Sequence, residues 1–134
     1  MSKKRKSKLQ IKEIYIELFE SYNYVMWGCS VVEAVEFIEN NFKGLPKHIT
    51  QELRDYEQNP PQGFCFSHKG HSSNNLIWLS KDPIKTSKGL YLLVQEISHA
   101  AYRIMNHWMI EIDENGQEIL AMLTGFLLKK IING

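Results

Sequence analysis

Residues 90–105 read "LYLLVQEISHAAYRIM", an unbroken run without proline or glycine after its first turn. The spacing predicts a helix over roughly 87–107. At about 100° per residue, Leu90, Val94, Ile97, Ala101, Ile104 and Trp108 form one apolar stripe. Gln95 and His99 share the opposite side, flanked by Leu92 and Tyr102. A helix apolar on two sides is expected to lie centrally in its domain, with Gln95 and His99 turned into the interior or a cleft rather than into bulk water.

Working outward, the pattern on either side predicts an α+β fold, a small and mainly antiparallel sheet packed with helices. Ile14, Ile16 and Leu18 alternate with Tyr15, Glu17 and Phe19 as in a strand, Glu20–Asn23 reads as a turn, and Tyr22–Trp27 as a second strand. Ser30 followed by Glu33 is a capping box, in which each side chain satisfies an orphan amide of a first helical turn. Val31, Val35, Ile38 and Phe42 continue that helix to near Gly44, and Pro46–Tyr56 suggests a second, short one. Phe64–Phe66 and Leu76–Leu79 flank a polar loop and read as a hairpin. A last helix is expected over roughly 115–132. Residues 10–134 thus form one domain, preceded by a disordered basic tail over 1–9.

Of 16 basic residues, Lys3, Lys4, Arg5, Lys6 and Lys8 fall in that tail, leaving 11 against 15 acidic residues elsewhere. Such a tail is either a solvated terminus or an attachment to nucleic acid. The acidic remainder argues against a dedicated nucleic-acid-binding domain. Hydrophobic residues make up 43% of the chain, enough for a core. No apolar run approaches the roughly 20 residues that span a bilayer, so no membrane association is expected. The start lacks the apolar core of a secretion signal, and Cys29 and Cys65 show no metal or redox spacing, so the expected setting is the cytoplasm.

Gln95-Glu96-Ile97-Ser98-His99 differs at one position from H-E-x-x-H. In that pattern two imidazoles one turn apart close on one zinc ion, the glutamate acts as base toward metal-bound water, and another element supplies a third ligand. Glu118, near Ala121, Met122 and Gly125 on its wheel, is a candidate third ligand if the small residues admit a close helix contact. Alternatively it is an exposed glutamate complementing the helix dipole. His107 lies about 12 Å from His99 along the helix and cannot share its ion. His68 and His71, in a loop before the preceding strand, are candidate substitutes or merely exposed histidines; His48 has no such placement. Without metal, Gln95, Glu96 and His99 read as a polar network, Gln95 donating to Glu118 and His99 held by Tyr102 or Glu118.

The order of elements, together with "QEISHAAYRIM" and "QEILAMLTGFLLKKI", resembles a family of small zincin-like proteins commonly encoded by bacteriophages. The resemblance spans most of residues 11–132 and implies a minimal gluzincin-type core. It implies His99 and Glu118 as metal ligands and Glu96 as general base, with Gln95 standing where the first ligand histidine belongs. A carboxamide oxygen is a poor zinc ligand, better tolerated by Mn²⁺ or Mg²⁺. The implied function is therefore a catalytically inactive, metallopeptidase-derived domain that binds another protein, with zinc absent or weakly held, in the host cytoplasm or the virion. Two further readings stay open: an active metal-dependent peptidase with a degenerate site, and a nucleic-acid-associated protein acting through its tail.

Overall fold

The computed structural model describes residues 8–67 and 73–134. Four strands and four helices follow in the order β1 (Gln10–Ile16), β2 (Ser21–Trp27), α1 (Val31–Asn41), α2 (Lys47–Gln58), β3 (Gly63–Ser67), β4 (Asn75–Leu79), α3 (Ser87–His107) and α4 (Glu114–Asn133). The fold is α+β, and the sheet runs β1-β2-β4-β3. Its two outer pairs are antiparallel, with Tyr15 opposite Tyr22 and Cys65 opposite Ile77. Antiparallel pairing predominates as expected, but the sheet is mixed, because the central pair is parallel, Asn23 lying beside Asn75. Helices α1 and α2 carry the chain from β2 across to the second hairpin, and that crossover sets β4 parallel to β2.

Period-two alternation gives each strand two apolar faces, and each face has its own helical layer. On one side Val25 and Trp27 of β2, and Ile77 and Leu79 of β4, pack with Leu93, Ile97, Ala100 and Ile104 of α3 and with Leu123, Leu127 and Ile131 of α4. On the other, Met26, Phe64, Phe66, Leu76 and Trp78 pack with Ala34, Val35 and Ile38 of α1 and with Ile49 and Leu53 of α2. The Ser30–Glu33 capping box forms as expected: the Glu33 amide donates to Ser30 Oγ at 3.2 Å and the Ser30 amide to Glu33 Oε1 at 3.3 Å.

The first hairpin turns earlier than its alternation suggested. Glu17–Phe19 is a 3₁₀ turn, Glu20 takes a left-handed φ of 49°, and Leu18 projects into solvent. Gly28, at φ 83°, follows β2; a Cβ there would lie 2.4 Å from the Lys8 carbonyl oxygen, so that close crossing requires glycine.

The parallel pair is tied by a buried amide network. Asn75 Nδ2 donates to Asn23 Oδ1 and to the Ser73 carbonyl, both at 3.0 Å, and Ser21 Oγ donates to the same carbonyl at 2.6 Å. Ser21, Asn23, Ser73 and Asn75 are all buried. Each side chain thereby replaces the water it has lost, and only one register of β2 against β4 satisfies the set.

Candidate functional site

Helix α3 begins at Thr86, whose hydroxyl caps the Gly89 amide at 2.9 Å, and runs the length expected of it. Its orientation differs. The core stripe is Leu92, Leu93, Ile97, Ala100, Ala101, Ile104 and Met105, while Leu90, Val94 and Trp108 are exposed. The continuous row Gly89–Leu93–Ile97–Ala100–Ile104 contains no polar side chain and lets α3 sit close to the sheet, so it wins over the row centred on Val94. The helix therefore has one buried face rather than two. Gln95 and His99 are exposed, contrary to the expectation that they point inward.

Gln95 donates its side-chain amide to the Tyr91 hydroxyl at 3.0 Å, one turn back on the same helix, rather than to Glu118. Glu118 is exposed in the second turn of α4. The close helix contact expected over Gly125 does not form: a Cβ there has no atom within 4 Å, and Ala121 and Met122 are exposed beside it. Helix α4 instead faces the core with Leu123, Leu127 and Ile131, which join the same cluster as Ala100 and Ala101 of α3.

Glu96 is placed differently. On the wheel it occupies, with His99 and Arg103, the shoulder of α3 beside the outer strand β3. A Cβ on Gly63 would lie 3.5 Å from Glu96 Cγ, so the side chain runs under the start of that strand. Arg103 Nη2 donates to the Cys65 carbonyl oxygen at 3.3 Å. Burial pushes the Glu96 carboxyl above its usual range, with His99 first and then Arg103 opposing the shift. Burial likewise pushes the Cys65 thiol up to about 12, against the nearby Arg103 charge, and raises the Tyr56 hydroxyl, which also senses Glu52 and Glu96. Tyr56, from α2, stacks on Phe64 with ring centroids 5.3 Å apart.

Strand β3 is an edge of the sheet. The Ser80 amide donates to the Gln62 carbonyl at 2.9 Å, which makes Gln62 and Ser80 a hydrogen-bonded pair. Stepping by two along the register makes Phe64 and Phe66 face β4 with their backbone groups, while those of Gly63, Cys65 and Ser67 face outward. The Cys65 carbonyl, taken by Arg103, is one of these outward groups.

Arg103, Tyr56 and Gly63 were not singled out from the sequence. The signal that could have found Arg103 is its place seven residues after Glu96, on the same shoulder. His68 and His71 lie outside the described residues, as do Lys3, Lys4, Arg5 and Lys6; Lys8 is described and exposed. Among the described residues no group of three or more His, Cys, Asp or Glu side chains is arranged to hold a metal ion, and Gln95, His99 and Glu118 contain only two such donors. No described helix is long and apolar enough to cross a membrane. No family model, curated protein or solved structure matches the chain.

Proposed function

We propose that the chain is a zincin-like, metallopeptidase-derived domain that no longer hydrolyses peptides and instead binds a partner protein, taking an extended segment along the outer edge of β3. The observation that carries this reading is the placement of Glu96 and Arg103 beneath an edge strand whose outward backbone groups belong to Gly63, Cys65 and Ser67. Such an edge pairs with an added strand through main-chain hydrogen bonds, and adjacent charged side chains select what is added. At the position of the first zinc ligand stands an amide engaged with Tyr91, which contributes neither charge nor an imidazole.

Binders selected from short random peptides test this directly. The reading expects shifts in the amide resonances of Gly63, Cys65 and Ser67 on binding, and loss of binding when alternate peptide nitrogens are methylated. Binders that leave those three amides unmoved would overturn it.

A second reading is favoured by one observation. The half-buried Glu96, with its carboxyl raised by burial, has the character of a general base. In that reading the chain is a metal-dependent peptidase with His99 and Glu118 as ligands, Gln95 tolerated or assisted by His68 or His71. One zinc per purified chain, lost in His99→Ala, would establish it over the first. The third possibility, nucleic-acid binding through Lys3, Lys4, Arg5, Lys6 and Lys8, requires a salt-sensitive DNA complex that deletion of residues 1–8 removes.

A further inference from the structure

Helices α1 and α2 cover only part of their side of the sheet. The cluster beneath them draws on β2, β3 and β4, with Leu9, just before β1, as its sole addition from that end. Among the described residues, α1 and α2 leave the rest of the face, over β1 and the start of β2, uncovered. Register and alternation place Ile11 beside Met26, Glu13 beside Tyr24 and Tyr15 beside Tyr22 on this one face. The opposite face of β1 is committed elsewhere: Ile14 and Ile16 enter the core, and Lys12 Nζ donates to the Lys130 and Ile131 carbonyls at the end of α4.

The open strip is an aromatic row. Tyr15 and Tyr22 have ring centroids 4.5 Å apart, Tyr22 and Tyr24 are stacked at 6.4 Å, and Tyr24 meets Phe42 edge-on at 4.9 Å. The inner end is anchored in the core, while Tyr15 and Tyr22 are 43% and 40% exposed. Its rim is acidic. Glu13 stands within the row, and Glu17 and Glu20 lie at the turn beside Tyr15, held there by the Glu20 amide donating to the Glu17 carbonyl at 3.1 Å. Partial desolvation, then Tyr22, Glu20 and Glu17, raises the Tyr15 hydroxyl above its ordinary range. Among the described residues ion pairs form only between Arg54 and Glu39 or Glu57, so these three carboxylates have no cationic partner there.

We propose that this strip docks an arginine- or lysine-bearing segment of a partner protein, cationic side chains lying over the Tyr15 and Tyr22 rings while Glu13, Glu17 and Glu20 supply the countercharge. Ring faces attract guanidinium and ammonium groups, guanidinium more readily because it also stacks. Carboxylates around the rings add charge complementarity and steer the approach. The same carboxylates repel phosphate, which separates this surface from the cation-lined aromatic platforms that stack nucleic-acid bases. The strip lies on the sheet face and edge opposite to β3 and Glu96, so it is independent of the reading proposed for that site.

Titrating the full chain with hexa-arginine, and separately with hexaglutamate and oligothymidylate, tests the proposal. Saturable, salt-sensitive binding of hexa-arginine alone is expected, weakened about tenfold by Tyr15→Ala with Tyr22→Ala and retained by Tyr15→Phe with Tyr22→Phe. Glu17→Gln with Glu20→Gln, which leaves the rings and the sheet intact, is expected to weaken it as well. Absence of hexa-arginine binding, binding indifferent to both the alanine and the glutamine pairs, or oligothymidylate binding that Tyr15 and Tyr22 carry would overturn the proposal.

Discussion

Gln95 gives its side-chain amide to the Tyr91 hydroxyl at 3.0 Å, so this side chain is engaged along its own helix. His99, one turn further, is exposed on the same helix, and neither is turned toward the interior. The charged side chain of that motif that does meet the rest of the domain is Glu96, under β3.

Gln95→His would set two imidazoles one turn apart on an exposed helical surface, a geometry that closes on zinc. The variant is expected to bind zinc and to melt higher in its presence, by mass action. If Glu118 supplies a third ligand, adding Glu118→Ala weakens that binding about tenfold. Calorimetric titration of the single and double variants reads both effects.

Glu96 carries a pH dependence. Its carboxyl is raised in the folded chain, so the fold binds a proton more tightly than the unfolded chain does. The group's stabilising contribution is fully present below the ordinary glutamate range and is lost as pH rises through the raised folded value. Glu96→Gln, which keeps the shape without the charge, is therefore expected to melt above wild type at pH 7. The gap should close as the buffer falls below the ordinary range near 4.5. A gap unchanged with pH would show that burial of the charge is not the cause.

Asn75→Ala removes the amide that joins Asn23 to the Ser73 carbonyl; that carbonyl keeps the Ser21 hydroxyl, but the buried Asn23 Oδ1 loses its donor. The expected loss is roughly 1–3 kcal/mol. By comparison, Ile97→Ala opens a cavity between α3 and the sheet and is expected to cost about 2–5 kcal/mol. Denaturant unfolding measures both.

Neither cysteine should react readily at neutral pH. Burial pushes the Cys29 thiol up to about 11 and the Cys65 thiol up to about 12, so almost no thiolate is present. Slow labelling by a thiol reagent, accelerating only on addition of denaturant, is the expected course. Rapid labelling of the native chain would place these residues in open surroundings instead.

What the sequence made readable was local. The Ser30–Glu33 box, the limits of α3 and the β3–β4 hairpin each follow from a few neighbouring residues whose hydrogen-bonding or alternation has one good solution, whereas the alternation of Ile14, Ile16 and Leu18 overran the first hairpin's turn. The orientation of α3 was legible only in part: Ile97, Ala101 and Ile104 of the expected stripe are buried, but Leu92, Leu93, Ala100 and Met105 complete the core face in place of Leu90, Val94 and Trp108. That selection comes from packing against the sheet and α4, whose Ile77, Leu79, Leu123 and Leu127 share one core cluster with the α3 face. From that orientation follow the exposure of Gln95 and His99 and the placement of Glu96 and Arg103 beside β3. The parallel β2–β4 pairing was equally out of reach, since it depends on Asn23 meeting Asn75 across 52 residues of chain. The same holds for the tyrosine row, whose exposure depends on how far α1 and α2 extend over β1.

The most direct measurement of the central claim is the zinc content of the purified full chain, followed by zinc titration of wild type. Far less than one zinc per chain, no saturable uptake at micromolar concentrations, and an unchanged melting temperature are expected. One zinc per chain, lost in His99→Ala together with the added stability, would contradict that claim and make the chain a working metalloprotein.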